Sequence, residues 1–253
     1  VVLPLLPALL GVALTGALAA AAVLAGALTR TAGATAAAFG IVVVVIGGFA
    51  FLALLVLFVV ASVLATRYGF EEKRRRNVHE GTAGERGVSN VMAHIIIPTA
   101  LVLLAWISPS WLPVRSATVL YTAALAFGAA DTFASEFGVL AGAARSILTF
   151  RPVTAGTNGG VSALGEAWAF VGSVSTAGIG TGLFYVFRTP IVPPLAILGI
   201  AAVSGFIGCQ LDSVLGETLE NRGLLTKGST NFLAMLLSVV VAMGLLLALG
   251  EPV

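Results

Sequence analysis

Seven stretches of about twenty residues pass almost without a charge, each long enough for a helix to cross the roughly 30 Å hydrocarbon core of a bilayer. They run Leu3–Leu28, Phe49–Thr66, Asn90–Ile107, Ala117–Gly138, Leu164–Phe187, Ile191–Gly216 and Thr230–Gly250. A shorter run, Gly33–Gly47, reads as an eighth span or a re-entrant piece, with Gly47-Gly48 marking its break from the next helix. The expected fold is therefore all-α: a polytopic transmembrane bundle of seven to eight helices, forming a single integral-membrane domain over residues 1–253. Composition excludes a soluble alternative. The chain is 58% hydrophobic and 9% charged, against about 25% charged in soluble domains. The opening apolar stretch lacks a basic leader and is too long for a signal peptide's apolar core, so it is read as a span.

Basic residues set an orientation. A loop at about 67–89 holds Arg67, Lys73, Arg74, Arg75, Arg76 and Arg86; a glycine-rich loop at about 143–163 holds Arg145 and Arg151; the last loop holds Arg222 and Lys227. Alternating spans put these loops on one side, which the positive-inside rule makes cytoplasmic, hence the plasma membrane's inner face in a prokaryote. Trp106, Trp111, Tyr121, Phe184, Tyr185 and Phe187 are expected to form an aromatic belt at the other boundary. The net charge of +2 and the confinement of cations to loops argue against a nucleic-acid partner. The lone Cys209 excludes disulfides and cysteine metal sites.

Function is carried by acids where lipid should be. Asp131, Glu136, Glu166, Asp212 and Glu217 lie inside or at the ends of apolar runs, where an acid near the helix centre costs about 2.5 to 3.5 kcal/mol unless it meets a cavity, partner or ion. Four belong to similar segments, Asp131-Thr132-Phe133-Ala134-Ser135-Glu136 and Asp212-Ser213-Val214-Leu215-Gly216-Glu217. A five-residue step turns an ideal helix through about 140°, so each Asp and Glu share a face only if the helix unwinds, for which Gly138 and Gly216 are the candidates. Carboxylates beside hydroxyls suit a hard cation such as Mg²⁺, and equally a coupled proton or sodium site. The loop Gly156-Thr157-Asn158-Gly159-Gly160, followed by Val161 and Ser162, offers backbone N–H groups and a helix N-terminus to an anion. Arg86 and Asn90, one helical turn apart, are placed to clamp a phosphate beside His94.

These segments, with Glu71-Glu72-Lys73, Arg86, Asn90-Val-Met-Ala93 and Asn231-Phe232, resemble in order and spacing the integral-membrane family that contains the chloroplast phytyl-phosphate kinases. His94-Ile95 and Phe133 stand where that family has Asn-Gly and Trp. The resemblance implies phosphoryl transfer from a nucleoside triphosphate, CTP first among them, to an isoprenyl monophosphate such as phytyl phosphate, with Mg²⁺ as cofactor. Asp131, Glu136, Asp212 and Glu217 are then expected at the metal, with Arg86 joining the first three as catalytic. Lys73, Asn90, Thr132, Ser135, Gly156 to Gly160, Ser162, Ser213 and Asn231 are expected at substrate or nucleotide. A cytidylyltransferase acting on a lipid phosphate and an ion-coupled transporter are the alternative readings.

Overall fold

The computed structural model describes residues 4–252. Eight of its helices are long and apolar enough to cross a membrane. In chain order the elements are α1 (Leu5–Leu24), α2 (Arg30–Val42) with a π-helical extension over Val43–Gly47, α3 (Phe49–Arg67), the short α4 (Phe70–Arg75), α5 (Val88–Ile107) and α6 (Val114–Gly138). Three short strands follow, β1 (Ala144–Ser146), β2 (Pro152–Val153) and β3 (Gly160–Val161), then α7 (Ala163–Val186), α8 (Pro194–Leu215) with a π extension over Gly216–Glu220, and α9 (Lys227–Ala248). All but α4 are spans.

The run at Gly33–Gly47 resolves as a full span, α2, because the helix starts earlier than its apolar stretch: Thr29 caps it by accepting from the Ala32 N–H, and Arg30 opens its first turn. Gly48, at φ 95°, makes the reversal into α3. Leu3 lies outside the described residues, and α1 ends at Leu24, short of Leu28. The α1–α2 turn is tied to the basic loop: the Arg86 N–H donates to Ala27 O (3.0 Å), the Thr29 N–H to Arg86 O (3.2 Å), and Arg67 Nη2 to Ala25 O (2.6 Å). All Lys and Arg of the chain except Arg115 and Arg188 thereby fall at one end of the bundle.

Helix α6 forms the axis and is buried around its whole circumference from Ser116 to Ala130. Its small residues permit close approach. A Cβ on Gly172 of α7 would sit 2.7 Å from Ala129 O, and one on Gly205 of α8 would sit 2.8 Å from the Ala126 carbonyl carbon. Interhelical hydrogen bonds add to the packing, as where Ser238 Oγ of α9 donates to Ser204 O (2.9 Å). Two expected belt residues belong to this core instead. Tyr121 is fully buried with its hydroxyl donating to Phe51 O (2.9 Å), and Phe184 packs edge-on against Phe51. Trp106, Trp111, Tyr185 and Phe187 are exposed at the sparsely charged end, as an interfacial belt requires.

The loop between α6 and α7 holds a structure the sequence reading did not contain. Its three strands pair antiparallel in the order β2-β1-β3, with Arg145 opposite both Pro152 and Val161. Runs of two or three residues are too short to show the alternating pattern by which a strand is read.

Candidate functional site

At the basic end, α6, α7, α8 and α9 enclose a cavity of about 340 Å³ under the β1–β3 loop. Asp131 projects into it from α6 and Asp212 from α8, so the two carboxyls share one chamber. Asn231 of α9 donates from Nδ2 to Asp131 Oδ2 (3.2 Å), while Asp212 Oδ1 is buried with no partner. Ser135, Ser213 and Glu166 line the same space, and Glu166 Oε2 accepts from Gln210 Nε2 (2.8 Å).

The glycine-rich loop closes the opposite wall. Gly156 (φ 87°) and Gly159 (φ 76°) adopt left-handed backbone, and a Cβ at Gly159 would sit 2.9 Å from Ser213 O, so the close seat of this loop on α8 requires glycine. The N–H groups of Gly156, Asn158 and Gly159 donate to no protein acceptor among the described residues. Thr157 and Gly160 line the cavity, and Thr157 O accepts from the Gly160 N–H (2.8 Å). Asn158 Nδ2 donates to Glu220 Oε1 (3.1 Å), strapping the loop to the end of α8. Ser162 caps α7, accepting from the Gly165 N–H (3.1 Å) and donating to Gly138 O (3.3 Å).

Several expected ligands are engaged elsewhere. All three protons of the fully buried Lys73 ammonium are used, by Ala65 O (2.8 Å), Thr66 O (3.2 Å) and Glu136 Oε2 (2.7 Å), leaving none for a phosphate. Glu136 borders the cavity, yet its other oxygen accepts from Thr66 Oγ1 (2.8 Å). It is the partner of a buried ion pair rather than an open metal ligand. Glu217 faces away, accepting from Ser146 Oγ (2.6 Å) and the Leu148 N–H (3.3 Å), so it secures the β1 loop instead of a metal. Thr132 is buried outside the cavity. Arg86 and Asn90 bond each other (Nη1 to Oδ1, 2.9 Å) behind the site, where Arg86 Nη2 also donates to Thr66 Oγ1 (3.1 Å). Burial pushes the Arg86 guanidinium below its usual value while Glu136, Glu80 and Asp131 oppose that shift; a guanidinium keeps its charge in proteins. Of the four acids expected at a metal, Asp131 and Asp212 alone meet, and among the described residues no three His, Cys, Asp or Glu converge.

Other residues enter the site unannounced. Lys227, the first residue of α9, lines the cavity one turn before Asn231, with Nζ 3.5 Å from Glu80 Oε2; the four-residue spacing of two polar side chains at a span's start was the available signal. Glu220, Asn77 and His79 also line it, His79 with a buried Nδ1.

A polar, acid-bearing cavity sunk into one end of a helical bundle defines an integral-membrane protein with a site open to the aqueous phase. The family described as "Integral membrane protein DUF92" matches residues 13–240, and the chain belongs to it. It is 28% identical over 203 residues to an uncharacterized membrane protein of Methanocaldococcus jannaschii, covering 80% of this chain and 79% of that one. Protein PGR of Arabidopsis thaliana is 31% identical over 194 residues (70% of this chain, 66% of PGR), and an uncharacterized membrane protein of Synechocystis 29% over 206 residues (79% and 75%). No solved structure matches.

Proposed function

We propose that this protein transfers a phosphoryl group from a nucleoside triphosphate to an isoprenyl monophosphate, with CTP and phytyl phosphate the pair to which the sequence resemblance points. The observation that carries the reading is that Asp131 and Asp212, the latter with one oxygen unpartnered, share a cavity of about 340 Å³ with a glycine loop whose N–H groups are free. Ligand pockets start near 300 Å³. Phosphoryl transfer needs positioning and charge neutralisation more than acid–base chemistry. An acceptor monoester, with its second pKa near 6, is largely dianionic at neutral pH. Its oxygen attacks the donor's γ-phosphorus, the new P–O bond forms, the β–γ bridging P–O bond breaks, and a nucleoside diphosphate leaves.

The donor set fits Mg²⁺, which takes one or two carboxylates and fills its shell with water and phosphate oxygens; Asp131 and Asp212 would hold it, with Asn231 orienting Asp131. Bound there, the ion supplies positive charge to the phosphate oxygens. Gly156, Asn158 and Gly159 offer N–H donors to the donor phosphates, and Lys227 supplies a cation at the same wall. The basic end faces the cytoplasm on this reading, where soluble nucleotide is present.

The test is a turnover assay on purified protein, pairing phytyl and geranylgeranyl monophosphates with CTP, ATP, GTP or UTP, with and without Mg²⁺. Metal-dependent prenyl diphosphate and nucleoside diphosphate are expected. A CDP-linked lipid with pyrophosphate would replace this reading by cytidylyl transfer.

A further inference from the structure

A second cavity, of about 40 Å³, lies between α2, α3 and α5 on the far side of His94 from the acidic site. Its walls are apolar, from Leu28, Leu55, Phe58 and Ile95. Half-buried Ala36, Val59 and Val91 form its rim. Ala36 lies six residues into its helix from the basic end and Val59 eight residues, or about 9 and 12 Å at 1.5 Å per residue. The rim therefore faces lipid within the half of the bilayer nearest the acidic site.

The inner end of this apolar slot is polar and unsatisfied. Ser62 Oγ, Arg86 Nε and His94 Nε2 are buried without a hydrogen-bond partner, and all three residues line the cavity. A buried unpaired donor costs about 1–3 kcal/mol, more if charged. Arg86 makes its bonds only to the neutral Asn90 and Thr66, with no carboxylate within ion-pair distance among the described residues, whereas the neighbouring Lys73 has Glu136. Glu136, Glu80 and Asp131 act on the Arg86 charge only from beyond that distance. His94 Nδ1 is 2.8 Å from Asn90 O, a carbonyl that can only accept, so the ring donates there and Nε2 points on toward Asp131 Oδ2, 4.0 Å away. His94 is thus the partition between the two cavities.

We infer that the α2–α3–α5 cavity receives the acceptor lipid, the first carbons of its chain between Phe58, Leu55 and Ala36 and its anionic head at the unpartnered Nε of Arg86. This deepens the kinase reading and rests on it for the identity of the lipid. The small volume seats only the carbons next to the head; the rest of the chain runs past the rim into the bilayer. The arrangement brings a membrane-dissolved acceptor and a soluble donor to opposite sides of His94, and transfer requires that ring to turn aside.

Direct binding tests it apart from turnover. Radiolabelled phytyl monophosphate is titrated into protein in nanodiscs, with phytol and inorganic phosphate as competitors. Wild type should bind it, with each competitor at least about 10-fold weaker because each supplies half of the recognised chemistry. Ala36→Phe, filling the slot, should weaken binding at least about 10-fold at an unchanged melting temperature; Val59→Phe on the rim serves if Ala36→Phe does not fold. Wild-type affinity in a folded Ala36→Phe or Val59→Phe overturns the inference, as does phosphate binding as tightly as the lipid. Lipid binding abolished by these substitutions in a protein that turns over no donor would leave the cavity assigned and remove the kinase reading. Turnover by wild type with unaltered binding in the variants would do the reverse.

Discussion

In α6, Asp131 and Glu136 sit on an unbroken helix that runs to Gly138, whereas in α8 the regular helix ends at Leu215 and Glu217 lies on a π-helical turn. The two segments carry the same pattern of acids and hydroxyls, and they share one destination and differ in the other. Both Asp residues point to the α6–α8 interface, where small residues let the backbones approach. The Glu residues are rotated away from them and meet different neighbours. Glu136 finds Lys73 and Thr66, and Glu217 finds Ser146 and Leu148. An acid in a span thus has a role set by helical phase and by what packs at that phase, and equal spacing does not make equal function.

If the Asp pair is the reacting centre and the Glu pair the frame, substitutions should separate them. Asp131→Asn and Asp212→Asn should each lower kcat by at least about 100-fold, the range for removing one charge-stabilising group, in protein with wild-type gel-filtration behaviour; normal turnover in either would erase the distinction. Glu136→Gln should instead act on stability. Breaking a buried ion pair costs about 3–5 kcal/mol, because Lys73 is fully buried. Its melting temperature should fall sharply, and a second change, Lys73→Met, should recover part of the loss, which a metal ligand would not show.

Glu217→Gln should be milder, removing charge-assisted bonds to the β1 loop worth about 1.5–3 kcal/mol in total. Faster amide exchange at Leu148 and Thr149 and a higher KM for the nucleotide at nearly unchanged kcat are expected; an equal loss of kcat would return Glu217 to the chemistry. The smallest effect belongs to Glu85 in the basic loop, held down to about 2 from the ordinary 4.5 by Thr82 and by the N–H groups of Thr82 and Ala83. A carboxyl depressed on folding contributes order above its ordinary value and loses it as pH falls through about 2. Protection factors at Thr82 and Ala83, corrected for intrinsic exchange, should fall across that window and stay constant there in Glu85→Gln.

Much of the architecture was legible in the chain. Apolar runs of span length announce helices because a bilayer tolerates no unpaired backbone, and the basic loops fixed their alternation. The Asp residues and Gly156 to Gly160 stood out because an acid in a span and a glycine cluster at a helix start are both unusual and local. Residues 33–47 were ambiguous because apolar length alone misses a helix whose first turn is polar, Arg30-Thr31. Lys227 and Glu220, flanked by loop residues, carry no such local contrast.

Sequence alone determined that this chain spans a membrane seven or eight times and which residues would be costly to bury, since those depend on composition along one dimension. Tertiary structure decided which costly residues are satisfied. Lys73 and Glu136 are 63 residues apart and neutralise each other, while Asp131 and Asp212 meet across α6 and α8 and leave an oxygen unpartnered. Partnering at that range is set by how helices pack in three dimensions, which no spacing in the chain encodes.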